Sequence, residues 1–312
     1  MGFINLKVAF FTEAGTTKGM GHLVRSYTIF QFFKKMGWEG YFFLDSDIDF
    51  KYKYPDVISF TWEKCYIEKQ YDVIFIDSYI ATIDIYNTIS RSCKVAVYID
   101  DYKRLNYPKG IIINFAPDAD TIFYKNKEAK HHYLLGLRYI PIKEILTQYQ
   151  QDRKKQIFIM LGGNDINNLN IEILDALKDI DIKKVIITNK ENDINKLEQF
   201  SNTKVLFKPN DKELIDSMAK SSLAISTSSM SVYELAFLKI PTLIIAINYN
   251  QKVGVSQLLK HKLAFDFVDI NAKNWKKALK DKINTKNNFD TSSEIDSLGC
   301  KRIFNYIVKV VA

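Results

Sequence analysis

The sequence predicts an α/β protein of two doubly wound parallel-sheet domains, and three observations carry that prediction. Apolar runs of strand length recur along the chain with helical patterns between them. Most of these runs are unbroken Val, Ile and Phe stretches rather than alternating ones. A glycine turn follows the opening strand of each half. An unbroken apolar strand is buried on both faces, as happens when helices cover both sides of a parallel sheet.

In the first half the runs are 7–11, 40–44, 73–76, 95–99 and 110–114; in the second they are 157–161, 184–188, 204–207, 223–226, 242–247 and 265–268. The break falls near 136–143, because the polar stretch 148–156 follows and a fresh apolar run, Ile157-Phe158-Ile159-Met160, begins at once. The domains are therefore set at 1–142 and 143–312. The amphipathic terminal helix from Gly299 is read as packing back on the first. Two such sheets would face a central cleft and bind ligands outside the carboxyl ends of their strands.

Composition narrows the function classes. A chain of 312 residues with 47% hydrophobic content is globular. Its net charge of +8 would suit a nucleic acid or a phosphate. The lysine runs 273–277 and 280–282, however, alternate with apolar residues at helical spacing, as the solvated face of an amphipathic helix does. No nucleic-acid partner is expected. Three scattered cysteines without C-x-x-C spacing give neither a disulfide framework nor a zinc site, and fit a reducing cytoplasm. No basic region precedes the first apolar residues, unlike a signal peptide, and no apolar run approaches the roughly 18 residues of a membrane span. His131-His132 and His261 lack spaced carboxylate or cysteine partners and are expected at the surface, so no metal is implied.

The chemistry-bearing motifs lie at strand ends. Gly19-Met20-Gly21-His22-Leu23-Val24-Arg25 links the first strand to a helical pattern, and Met160-Leu161-Gly162-Gly163-Asn164-Asp165 does so in the second half. A glycine turn opening a helix presents backbone N–H groups and the positive end of the helix dipole, which together favour an anion. Each turn could equally be a simple connection. A third loop, Ser226-Thr227-Ser228-Ser229-Met230-Ser231-Val232-Tyr233-Glu234, is rich in hydroxyls and also starts a helix. Ser231 and Glu234 have capping-box spacing; alternatively Glu234 accepts hydrogen bonds from a ribose diol. There is no Walker loop and no G-x-G-x-x-G, so a nicotinamide dehydrogenase gains little support.

The ordered set of Gly19–His22–Arg25, Ile76-Asp77-Ser78-Tyr79, Ile99-Asp100-Asp101, Leu161-Gly162-Gly163-Asn164-Asp165, the 226–234 loop and Asn250-Gln251 resembles the PseG/SpsG-like UDP-sugar hydrolases. These are UDP-2,4-diacetamido-2,4,6-trideoxy-beta-L-altropyranose hydrolases related to the MurG-type glycosyltransferases. The resemblance spans nearly the whole chain, including a closing Asp296-x-x-Gly299…Arg302-Ile303 segment. It implies a GT-B fold of two Rossmann-like domains. It further implies cytoplasmic hydrolysis of a UDP-linked 2,4-diacetamido-2,4,6-trideoxyhexose to UDP and free sugar, without a cofactor, towards a nonulosonic acid such as pseudaminic acid.

The same resemblance implies roles for residues. His22 becomes the general base for water attack at the anomeric carbon, a task suited to imidazole because it titrates near neutrality. Tyr79 and Asn250 orient sugar or water. Gly19, Gly21, Arg25, Asp100, Asp101, Gly162, Gly163, Asn164, Ser228, Ser229, Glu234 and Gln251 are the expected substrate contacts, and Asp100-Asp101 are read as hydrogen-bonding rather than magnesium-binding groups. The chain departs from the family pattern in having Ser78 and Ile80 around Tyr79, Glu13 after the first strand, and Lys143, Ile145 and Leu146 in the hinge motif. These departures fall towards the sugar side. Two other readings use the same motifs: a glycosyltransferase with a UDP-amino sugar donor, and a nucleotide-sugar binding protein without activity.

Overall fold

The computed structural model describes residues 6–65, 67, 70–149, 153–162, 168–247, 252–284, 289–291 and 294–312. The chain divides into two compact units: Met1–Ile142 with Asp296–Ala312, and Lys143–Ile295. The first unit contains β1 (Lys7–Ala14), α1 (Gly21–Lys35), β2 (Glu39–Ser46), β3 (Val57–Ser59), β4 (Tyr71–Asp77), α2 (Ile83–Ser90), β5 (Cys93–Ile99), β6 (Gly110–Asn114), α3 (Ala119–Ile122) and β7 (His131–Leu135). The second contains β8 (Lys154–Met160), α4 (Leu169–Ala176), β9 (Lys183–Thr188), α5 (Ile194–Glu198), β10 (Thr203–Phe207), α6 (Asp211–Ala219), β11 (Ser221–Ser226), α7 (Met230–Phe237), β12 (Thr242–Ala246), α8 (Lys252–Lys260), β13 (Asp266–Asp269) and α9 (Trp275–Asn284). A last helix, α10 (Gly299–Val311), belongs to the first unit.

Both sheets are parallel and share one strand order, β3-β2-β1-β4-β5-β6-β7 in the first unit and β10-β9-β8-β11-β12-β13 in the second. This is the doubly wound order, in which the direction of winding reverses between the first and fourth strands. The reversal leaves a crevice at the carboxyl ends of β1 and β4, and likewise of β8 and β11. In the first unit Gly19–Arg25 follows β1 and Asp77 ends β4 at that edge; in the second Gly162 follows β8 and the 226–234 loop follows β11.

Register explains why the strands are unbroken apolar runs. Phe10 pairs across β1 with Phe42 of β2 and Phe75 of β4, and its ring stacks on Phe75 with centroids 4.2 Å apart. Phe30 and Phe33 of α1 close over this ladder edge to face. In the second unit Ile157, Ile159, Ile186, Leu223, Ile225, Leu243 and Ile245 form the equivalent aliphatic core. Helix α10 sits close against its unit because Gly299 lacks a side chain: a Cβ there would lie 1.9 Å from the Ile140 carbonyl oxygen. Arg302 then bridges Asp296 through two hydrogen bonds of 2.6 and 2.7 Å and donates to the Arg138 carbonyl, and Phe304 packs against Phe33. The closing Asp296…Gly299…Arg302 pattern is therefore a docking device.

Some expectations are corrected. Strands β3 and β7 were not legible, because β3 is three residues long and β7 opens on two histidines. His131 is accordingly buried rather than on the surface, since strand pairing with Gly110 draws it in. The Ser231–Glu234 capping box does not form: α7 begins at Met230 with Ser229 as its N-cap residue and no side-chain cap. Among the described residues no helix is long and apolar enough to cross a membrane. The lysine-rich stretch forms α9, where Lys276 pairs with Glu172 and Asp175 and Lys280 with Asp179.

Candidate active site

In the first unit the site begins where β1 ends. Gly15 and Gly19 exchange backbone hydrogen bonds of 3.2 and 3.0 Å, closing a small loop that Gly19 turns with φ +72°. The Gly19 N–H is thus spent within the loop instead of facing an anion. Helix α1 starts at Gly21 with no side-chain cap. A Cβ at Gly21 would meet nothing within 4 Å, so this turn offers open space at a helix N-terminus.

His22 follows and is turned inward. Its Nδ1 lies 2.6 Å from Oδ1 of Asp77 at the end of β4, and its ring packs edge to face on Tyr79 with centroids 4.3 Å apart. Arg25, one turn along α1, grips the same carboxylate: Nε donates to Oδ2 at 2.7 Å and Nη2 to Oδ1 at 2.6 Å. Ser26 Oγ donates to Oδ2 at 2.9 Å. The i, i+3 and i, i+4 spacing of His22, Arg25 and Ser26 puts all three on one helix face, above the strand end that carries Asp77. Arg25 Nη2 is also 3.0 Å from His22 Nδ1. The ionised Asp77 carboxylate can only accept, so at 2.6 Å Nδ1 carries the proton towards it, and Nε2 is left as the ring's acceptor.

Arg25 reaches a second carboxylate as well, donating from Nη1 to Asp101 at 2.7 Å and from Nη2 at 3.1 Å. The Tyr79 hydroxyl donates to Asp101. Burial opposes ionisation throughout this cluster, yet the guanidinium between two carboxylates outweighs it. Asp77 is held well below the usual carboxylate range by Arg25 and His22, and Asp101 is lowered by Arg25. Arg25 is in turn raised by Asp101 and Asp77 against its own desolvation. The Tyr79 hydroxyl is pushed well above the ordinary phenol by burial and by Asp101, and stays protonated.

Two expected substrate contacts turn out to be internal. Arg25 is buried and gives its donors to Asp77 and Asp101, so it fixes those carboxylates. Asp100 is buried and accepts from the Tyr107 hydroxyl at 2.6 Å, the Tyr124 hydroxyl at 2.5 Å and the N–H groups of Lys103 and Arg104. It anchors the loop after β5 and has no acceptor capacity to spare. Two residues not among the site candidates are central instead. Asp77 is the hub of the cluster, and its signal was its position at a strand end one residue from a polar loop. Glu13 lies at the end of β1, which runs three residues past its apolar core.

In the second unit Gly162 follows β8 with φ +88°, and a Cβ placed on it would lie 3.5 Å from Thr227 Oγ1. Ser229 heads α7, and neither its hydroxyl nor that of buried Ser226 has a hydrogen-bond partner among the described residues. Ser228 lies in the same loop, close to Gly254 of α8. An eight-residue helix with an unpaired serine at its uncapped start is suited to an anion. Glu234, one turn into α7, is buried 3.7 Å from the Lys143 ammonium, which also meets Asp211 at 3.3 Å. Gly163, Asn164, Asn250 and Gln251 lie outside the described residues.

The fold is the GT-B fold. The Staphylococcus aureus MnaA–UDP structure matches with a TM-score of 0.65 at 10% identity, over 97% of this chain and 96% of that one. Acinetobacter baumannii MurG matches with 0.63 at 11% identity, over 97% and 99%. No family model matches the sequence. An uncharacterised protein of Methanocaldococcus jannaschii is 26% identical over 284 residues, covering 82% of this chain and 58% of its own length. A Helicobacter pylori protein named pseudaminic acid cytidylyltransferase and UDP-2,4-diacetamido-2,4,6-trideoxy-beta-L-altropyranose hydrolase is 26% identical over 242 residues, covering 75% and 43%. A Campylobacter jejuni protein with the hydrolase name alone is 23% identical over 267 residues, covering 82% and 97%. The chain thus spans less than two thirds of the first two relatives.

Proposed function

We propose that this protein hydrolyses a UDP-linked 2,4-diacetamido-2,4,6-trideoxyhexose to UDP and the free sugar, in the cytoplasm, within nonulosonic-acid or surface-polysaccharide synthesis. The observation that carries this reading is the His22–Asp77 pair at the switch point of the first sheet. The hydrolase names of the Helicobacter and Campylobacter relatives support the same substrate class. In the proposed reaction Nε2 of His22 takes a proton from water as the water oxygen bonds to the anomeric carbon. The bond from that carbon to the diphosphate oxygen breaks, and UDP leaves with the electron pair. Asp77, held ionised by Arg25, stabilises the imidazolium and keeps the ring in the tautomer that accepts at Nε2. Tyr79 stays protonated and gives its proton to Asp101, which aligns it and leaves the phenol oxygen to accept from the sugar or water. Asn250 is assigned to orient the sugar or water.

The nucleotide falls to the second unit in this reading. Gly162, Gly163, Asn164, Ser228 and Ser229 would hold the diphosphate, Glu234 the ribose, and Gln251 would line the same place. Gly19 and Gly21 would allow the sugar to approach α1 closely. A glycosyltransferase reading has the support of the fold, which MurG shares. The two are separated by incubating the protein with UDP-diacetamido-trideoxyhexoses, with and without acceptors, and following UDP release by NMR. Release without acceptor that disappears in His22→Ala is the expected result. Strict acceptor dependence would make the protein a transferase, and saturable UDP binding without turnover would make it a binding protein.

A further inference from the structure

Glu13 is a buried carboxylate, 1% exposed, that the proposed reaction does not use. It ends β1 next to β4, where Thr12 pairs with Asp77 in register. Three donors converge on it. Trp62 Nε1 donates to Oε2 at 2.7 Å, the Ser78 hydroxyl donates to the same oxygen, and the Tyr79 backbone N–H donates to Oε1 at 2.7 Å. The Ser78 oxygen in turn accepts from the N–H groups of Ile80 at 3.0 Å and Ala81 at 2.8 Å. With both lone pairs used, that hydroxyl can only donate towards Glu13. Tyr79 is therefore pinned at its backbone by Glu13 and at its hydroxyl by Asp101, and its ring meets His22 between these ties.

We propose that Glu13 is a positioning residue for the hydrolysis, acting through Tyr79 on the His22 ring; the kinetic part of this proposal rests on the hydrolase reading above. Only a carboxylate satisfies the site. Glutamine with its amide nitrogen at the Oε1 position sets a donor against the Tyr79 N–H. With the nitrogen at the Oε2 position it faces Trp62 Nε1 and a serine hydroxyl that has no acceptor capacity left. Aspartate is one methylene too short to reach all three donors. Either substitution lets the 78–81 loop shift, and a displacement on the order of 1 Å at a catalytic group costs up to about 100-fold in rate.

The test is a double-mutant cycle of Glu13→Gln and Tyr79→Ala, which removes the ring that meets His22, read in kcat and in the His22 Hε1 NMR resonance without substrate. In the wild-type background Glu13→Gln is expected to lower kcat about 10- to 100-fold and to move the His22 resonance. In the Tyr79→Ala background the same change should cost at most a few-fold, because the ring through which it acts is gone. Additive losses in kcat, or a His22 resonance that stays in place, overturn the proposal. If Glu13→Gln does not fold, Glu13→Asp serves in the same cycle. Should no UDP-sugar be turned over by the wild type, the hydrolase reading fails, and the resonance alone decides whether Glu13 sets the Tyr79–His22 geometry.

Discussion

Replacing Asp77 with asparagine tests the arrangement at its hub. The carboxylate is 1% exposed and accepts from four donors, His22 Nδ1 and Arg25 Nη2 on Oδ1 and Arg25 Nε and Ser26 Oγ on Oδ2. An amide presents one acceptor and one donor group, so one of these pairs must meet N–H. With the nitrogen at the Oδ1 position, the imidazole can accept only by moving its proton to Nε2, which abolishes the base. With the nitrogen at the Oδ2 position, Arg25 Nε is left facing a donor in a buried site. Removing one member of a buried ion pair costs about 3–5 kcal/mol, and here Asp101 still holds part of the guanidinium, so the lower end applies. At about 2–4 °C per kcal/mol for a unit of this size, Tm should fall by roughly 6–12 °C. The loss of the correct tautomer should lower kcat by about 10³- to 10⁴-fold. Calorimetry and UDP release measure the two effects. A variant that keeps wild-type turnover, or whose Tm moves by less than about 2 °C, would refute the hub role.

Three further outcomes follow from the structure. Asp77 and Asp101 titrate lower in the folded protein than in the unfolded chain, so the stability they confer is present above about pH 4 and lost as pH falls through their folded range. The destabilisation caused by Asp101→Asn, measured by denaturant titration, should therefore be largest at neutral pH and shrink below about pH 4; a pH-independent difference would contradict the assignment. Gly21→Ala adds a Cβ into open space on a helix, so Tm should hold or rise with a gain of up to about 1 kcal/mol while kcat/KM falls. Gly299→Ala instead drives a Cβ into the Ile140 carbonyl, and thermal unfolding should register a loss of about 1–3 kcal/mol without a direct effect on chemistry.

The sequence alone determined the fold, because an unbroken apolar strand such as Ile157-Phe158-Ile159-Met160 has one stable environment, the centre of a parallel sheet under helices. It also placed His22 on the first turn of a helix after a glycine loop, since glycine spacing and helical periodicity are local properties. Strand β3 and His131 escaped because pairing with a neighbouring strand, and not their own composition, decides their place. The site's inner logic escaped for the same reason. Arg25, Asp77 and Asp101 are 52 and 76 residues apart along the chain from the guanidinium outward, and only tertiary contact reveals that the arginine holds carboxylates rather than a ligand. Asp100 and Asp101 are adjacent in sequence, yet backbone alternation at a strand end sends one into the 100–107 loop and the other to Tyr79. Periodicity says which residues are buried; which donor meets which acceptor is set only when strands from distant parts of the chain are brought to one edge.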